Sequence, residues 1–136
     1  MKIYISHALA DAPLAGQLAQ RLQAEGFQVW LAQNEIFPGD NWAEKVVEGL
    51  NECQAMVVLW TPAAVQSSHV QWDLSFAMGS IAYRHRLIPI LVGHEVELLL
   101  SELPWILKRF RIVRCPEPDQ VAEAVHEVAD ALLAAA

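Results

Sequence analysis

Short apolar runs of strand length alternate along this chain with longer segments in which apolar residues recur every three or four positions. Lys2 to Ser6 (KIYIS) is a compact β-branched and aromatic run. Pro13 to Glu25 follows, with Leu14, Leu18 and Leu22 on one helical face and Gly26 where a C-terminal cap belongs. Phe27 to Leu31 (FQVWL) reads as a second strand, and the polar loop after it carries the turn signal Pro38-Gly39. Trp42 to Asn51 gathers Trp42, Val46, Val47 and Leu50 on one side of a short helix, capped by Asp40 or Asn41. Ala55 to Trp60 (AMVVLW) and Leu87 to Val92 (LIPILV) are apolar without alternation, the mark of strands buried on both faces. Between them lies a Ser-rich loop after Thr61-Pro62. Val70, Leu74, Ala77, Met78 and Ile81 then keep helical spacing up to Tyr83. Glu95 to Leu107 predicts a short helix or turn broken at Pro104, Arg111 to Val113 a last short strand, and Pro118 to Leu133 a terminal helix started by proline.

Strands alternating with helices imply a parallel sheet connected by right-handed crossovers and covered on both faces. Five strands in 136 residues fit an α/β, flavodoxin-like, doubly wound sheet of order 2-1-3-4-5, with one domain over residues 1–136. In that order a ligand binds outside the carboxyl ends of strands 1 and 3, where the winding reverses. Two loops are thereby nominated, Ser6 to Ala12 and Thr61 to His69.

Composition narrows the classes. With 54% hydrophobic residues and a mean hydropathy of +0.25, the chain is too apolar to be disordered. Nine Lys and Arg against 16 Asp and Glu give a net charge of −7, which argues against holding nucleic acid through a broad basic surface. The densest basic stretch, Lys108, Arg109, Arg111 and Arg114, is interleaved with Phe110, Ile112 and Val113 and reads as an edge strand with solvated charges. Cys53 and Cys115 lie apart, outside any CxxC pattern, so neither a disulfide framework nor a zinc site is indicated and a reducing compartment is expected. MKIYISHALADAP lacks the long apolar run of a signal peptide, and no stretch reaches the roughly 18 apolar residues of a membrane span. A soluble cytoplasmic protein is expected, without membrane or direct nucleic-acid partners.

The nominated loops exclude several chemistries. A phosphoacceptor receiver needs an acidic pair after strand 1, an Asp after strand 3 and a Lys after strand 5. Those places hold Ser6-His7, Trp60-Thr61 and Val113-Arg114. HALADAP is too poor in hydroxyls and glycine for a flavin phosphate loop, and neither GxGxxG nor GxxxxGK[ST] occurs. What converges instead is His7, Trp30, Phe37, Trp42, His69, Trp72 and Asp73. Aromatic planes with one carboxylate suit a ligand with flat rings and a positive centre. Each residue also has a structural reading: His7 closing its loop, Trp30 and Trp60 packing in the core, Trp42 anchoring a helix, and Asp73 favoured by the first turns of its helix.

Taken together, KIYISHALAD, GFQVWLAQNEIFPGDNW, LNECQAMVVLWTPAAVQSS, VQWDLSFA and RLIPILVG resemble, in this order, the TIR (Toll/interleukin-1 receptor) domain over essentially the whole chain. The resemblance to bacterial TIR domains implies cleavage of the N-glycosidic bond of NAD⁺, giving nicotinamide and linear or cyclised ADP-ribose. NAD⁺ would be a substrate rather than a cofactor, and no metal is called for. The family's carboxylate is a Glu in the helix after strand 3, four residues beyond a Trp. Here those positions hold Asp73 and His69, and the frequent acid at the end of strand 2 is replaced by Ala32.

The resemblance thus implies an NAD⁺ nucleosidase with Asp73 facing the ribose and His7, Ala8, Trp30, Phe37, Trp42, His69 and Trp72 around the substrate. It equally implies an alternative, a non-catalytic TIR–TIR interaction module using the loop Gln33 to Trp42, with Ile36-Phe37-Pro38 at its tip. The two are compatible, since family sites are often completed by a neighbouring copy. Bacterial relatives typically act in antiphage defence and are fused to or paired with a sensor. The chain runs from Met1 to ALLAAA, which fits a stand-alone protein or an excised N-terminal domain.

Overall fold

The computed structural model describes residues 1 to 135. Five strands, β1 (Lys2–Ser6), β2 (Gln28–Trp30), β3 (Ala55–Trp60), β4 (Leu87–Val92) and β5 (Val113–Cys115), form one sheet of order β2-β1-β3-β4-β5. Every neighbouring pair is parallel. The helices are α1 (Ala12–Ala24), α2 (Ala32–Glu35), α3 (Trp42–Glu52), α4 (Pro62–Val65), α5 (Ser68–Met78), α6 (Val96–Glu102) and α7 (Val121–Ala135). This is the doubly wound, flavodoxin-like arrangement that the alternation of runs predicts.

The pleat explains the two cores. Ile3 and Ile5 of β1, with Val57 and Leu59 of β3, point to one face and pack with Leu18 and Leu22 of α1 and Val125, Val128 and Leu132 of α7. Tyr4 of β1, with Met56, Val58 and Trp60 of β3, points to the other face and packs with α3, α5 and α6. All six residues of β3 are buried, and each large aliphatic side chain so placed contributes about 1.5–3 kcal/mol. Trp60 Nε1 donates to Leu99 O at 2.8 Å, which ties α6 to the end of β3.

Several boundaries differ from the sequence expectation for local reasons. Two single-turn helices, α2 and α4, replace what reads as loop, and Thr61 caps α4 by accepting from Ala64 N at 3.1 Å. The helix expected from Val70 to Tyr83 begins at Ser68, because Ser67 accepts from Val70 N at 3.2 Å. It stops at Met78, and a separate 3₁₀ turn covers Ile81–Tyr83. Only the end of the basic stretch, Val113 and Arg114, lies in a strand, the edge strand β5. Trp105–Arg109 forms a 3₁₀ turn, and the last strand sits two residues later than expected, where Val113 and Cys115 are both buried and Arg114 points outward. All four basic side chains of that stretch are solvent-exposed. Among the described residues, no helix is long and apolar enough to cross a membrane.

Candidate functional site

The carboxyl ends of β1 and β3 are joined by a short bridge. Thr61, directly after β3, donates from Oγ1 to Asp11 Oδ2 at 2.6 Å while it caps α4, so the loop after β1 is fastened to the loop after β3. Gln33 of α2 donates from Nε2 to Ala12 O at 3.2 Å and holds the β2 side against the start of α1. Beyond α2 the chain makes a tight turn at Phe37-Pro38-Gly39-Asp40. Asp40 N donates to Phe37 O at 3.0 Å, and Phe37 N donates back to Asp40 Oδ2 at 2.9 Å. Gly39 takes φ +91°, a value that side-chain-bearing residues adopt only with strain. Asn41 then accepts from Glu44 N at 3.2 Å, capping α3 and fixing Trp42 in its first turn.

These elements enclose an open cavity of about 610 Å³, lined among others by His7, Gln33, Phe37, Trp42, Ser67 and His69. The Trp42 ring meets the His69 imidazole edge-to-face, with centroids 4.3 Å apart at 66°. His7 Nδ1 and His69 Nδ1 are both buried without a hydrogen-bond partner. Burial holds the His7 imidazole below its usual pKa. His69 is pushed down to about 4, by burial first and by the neighbouring His7 second.

Behind His69 lies Asp73, only 1% exposed. Ser6 Oγ donates to its Oδ2 at 2.7 Å and Tyr4 OH to its Oδ1 at 3.2 Å. His69 Nε2, one helical turn earlier on the same face, stands 3.4 Å from Oδ2. Burial raises the carboxyl from 3.8 to about 7, outweighing the two hydrogen bonds, which favour the charged form. The same burial and the adjacent carboxyl push the Tyr4 hydroxyl upward.

The residues singled out in the sequence therefore divide. His7, Phe37, Trp42 and His69 line the cavity together. Asp73 is not among the lining residues: it is buried, 3.4 Å from His69 Nε2, and His69 is the one that lines the cavity. Ala8 is buried in the core on the α3 and α5 side. Trp30, 3% exposed, is stacked on Tyr4 beneath the site rather than in it. Trp72 is 68% exposed and does not line the cavity, being about 100° around the helix from Asp73. Tyr4 and Ser6, the hydrogen-bond partners of Asp73, were not apparent as site residues. Their i, i+2 spacing on β1 does put both on the Trp60 face of the sheet, and this was the available signal. Among the described residues, no group of three or more His, Cys, Asp or Glu is placed to hold a metal ion.

Comparison with known proteins places the chain. Residues 3–132 match the family model described as TIR domain. The chain is 28% identical over 94 residues to the 2′ cyclic ADP-D-ribose synthase BtTIR of Bacteroides thetaiotaomicron, a match covering 68% of this chain and 32% of that protein. It thus spans about a third of the length of that curated relative. The TIR domain of the Toll-related receptor TRR-2 from Hydra magnipapillata superposes with a TM-score of 0.73 at 17% identity, covering 96% of this chain and 97% of that one. A metazoan TIR-STING receptor from C. gigas, solved in complex with 2′,3′-cGAMP, gives a TM-score of 0.71 at 20% identity, covering 90% of this chain and 38% of that one. At these identities the two structures bear on fold alone.

Proposed function

The chain belongs to the TIR domain family, and from that membership we propose that it cleaves the nicotinamide–ribose bond of NAD⁺, releasing nicotinamide and linear or cyclic ADP-ribose. The observation that carries this reading is the cavity at the carboxyl ends of β1 and β3, with the aromatic faces of Phe37 and Trp42 on its wall and a carboxyl, Asp73, one side chain deep. Nicotinamide leaves from a cation, so the transition state is an oxocarbenium ion that a nearby negative charge stabilises. Asp73 stands where the family has Glu and is ionised in part at neutral pH. The sequence relative named as a cyclic ADP-ribose synthase supports the same substrate class. In this reading NAD⁺ is substrate, and the protein works in the cytoplasm in antiphage defence under a fused or separate sensor.

A second reading, a TIR–TIR interaction module, is favoured by the burial of Asp73 and by Phe37, which is 63% exposed on a hydrogen-bonded turn. Self-association through Gln33 to Trp42 belongs to both readings. The deciding experiment measures nicotinamide release from NAD⁺ by chromatography across a protein concentration series, with and without a crowding agent. Release that grows with concentration and is lost in Asp73→Ala supports the enzyme. Silence at every concentration, persisting in Asp73→Glu, leaves the interaction module.

A further inference from the structure

The two edges of the sheet carry opposite charge. Residues 105–114, at the β5 edge, hold Lys108, Arg109, Arg111 and Arg114 and no acid. Among the described residues, none of the four pairs with a carboxylate. Exposed Lys108 and Arg114, with half-buried Leu100 and Ile112, line an open groove of about 570 Å³ between α6 and β5. Glu97 is the one carboxylate in its wall. The β2 edge is the reverse: from Glu35 to Glu52 there are five acids and Lys45 alone. There α3, seated on Trp30 of β2 through Gly49, turns Glu44, Val47 and Glu48 to solvent at i, i+3 and i+4, and Val47 is 50% exposed. Among the described residues Glu44 has no cationic partner, and Glu48 has Lys45 at 3.7 Å.

We propose that the groove takes the α3 face of a second copy of this chain, with Val47 against Leu100 and Ile112 and with Glu44 and Glu48 toward Lys108 and Arg114. The inference rests on the self-association read above and adds the surface that receives it, since α3 begins at Trp42, where the loop from Gln33 ends.

The charges favour a second copy as the occupant. A chain of net charge −7 repels its like unless its few cations are gathered where the partner's acids arrive, and four of its nine Lys and Arg lie within residues 105–114. An apolar centre with a charged rim is the general anatomy of a protein interface. A polyanion would meet Glu97 in the same wall, whereas α3 brings an apolar residue for the apolar floor. Because the two surfaces lie at opposite edges of one sheet, the contact is heterologous. A bound pair keeps one free groove and one free α3, and association continues beyond the dimer.

The test follows oligomeric state by sedimentation and reverses the charges. The wild-type chain is expected to grow past the dimer with concentration, and its apparent Kd to rise on the order of tenfold between about 50 and 500 mM salt. Glu44→Lys with Glu48→Lys, and Lys108→Glu with Arg114→Glu, are each expected to weaken association on the order of tenfold or more. The first pair moves the net charge from −7 to −3, two charges per substitution, so a loss of association there opposes what general repulsion predicts. Mixing the two variants is expected to restore association, because each meets opposite charge in the other, and so is combining all four substitutions in one chain. Should a reversal unfold the chain, Glu44→Gln with Glu48→Gln is expected to weaken association several-fold. Reversed or neutralised variants that associate as the wild type does, a mixture that stays apart, or growth that ends at a dimer overturns this proposal and leaves the self-association reading standing. A wild-type chain that is monomeric at every concentration overturns both.

Discussion

Trp30 lies flat against Tyr4, with ring centroids 4.8 Å apart and planes within 7°, and Tyr4 in turn donates to Asp73. The stack connects the core under β2 to the carboxyl under the cavity. On its outer side it is closed by Gly49 of α3, where an added Cβ would stand 2.3 Å from Trp30 Cε2.

Gly49→Ala therefore tests the stack. In an open helix this change gains about 0.5–1 kcal/mol. Here the indole is buried and stacked on Tyr4, so overpacking at a cost of about 1–3 kcal/mol decides the sign. The variant is expected to unfold at lower urea with an unchanged slope. A stabilised variant would mean that Trp30 slides without cost.

Tyr4→Phe removes one of the two hydroxyl bonds that favour ionised Asp73. The Asp73 carboxyl is expected to titrate at higher pH than in the wild-type chain, read from its ¹³Cγ resonance. Stability is expected to fall by about 0.5–1.5 kcal/mol. An unmoved titration would mean that burial alone sets this carboxyl.

The sheet was legible because its order needs only the type and sequence of elements: two uninterrupted apolar runs for β3 and β4, and helical periods between strands. The single-turn helices α2 and α4 were not, since four residues hold no full period and their existence depends on caps such as Thr61. The i, i+4 spacing places His69 and Asp73 on one face from sequence alone. What that face meets is a long-range fact. Periodicity puts Tyr4 and Ser6 on one face of β1 but does not bring them to Asp73, and the core reading of Trp30 does not name Tyr4 as the ring it stacks on. The acid at position 73 is visible in the sequence, but its burial and its bonds to both hydroxyls of β1 are not.

Thr61→Val keeps the shape of the residue that joins the β1 and β3 loops but loses both of its hydroxyl bonds, to Asp11 and from Ala64 N. Losing a helix cap costs about 0.5–2 kcal/mol, and the bond to partly solvated Asp11 adds little beyond it. A loss of about 1–2 kcal/mol in urea unfolding is expected, with Thr61→Ser retaining most of the stability. A neutral Thr61→Val would show that the two loops are held by packing instead.

Asp73→Asn separates the carboxyl's charge from its volume through pH. The folded-state pKa is raised from 3.8 to about 7, so the folded chain holds a proton that the unfolded chain has already released. The associated stability is present near pH 4 and is lost as pH rises to about 7, a change on the order of a few kcal/mol. His69, lowered to about 4, and His7, lowered by burial, have the opposite slope: their stability is gained as pH rises through the range up to the ordinary 6.5. The two trends offset each other in the wild-type chain between about pH 4 and 6.5. Asn cannot titrate, so the variant keeps the histidine gain without the Asp73 loss. Measured by urea unfolding at pH 5 and pH 8, the stability of Asp73→Asn relative to wild type is expected to rise with pH. A difference that does not change with pH would mean that Asp73 ionises as a solvated carboxyl does. The charge that oxocarbenium chemistry needs appears over the same interval in which the Asp73 contribution to stability is lost, so nicotinamide release by the wild-type chain is expected to rise as pH passes through about 7.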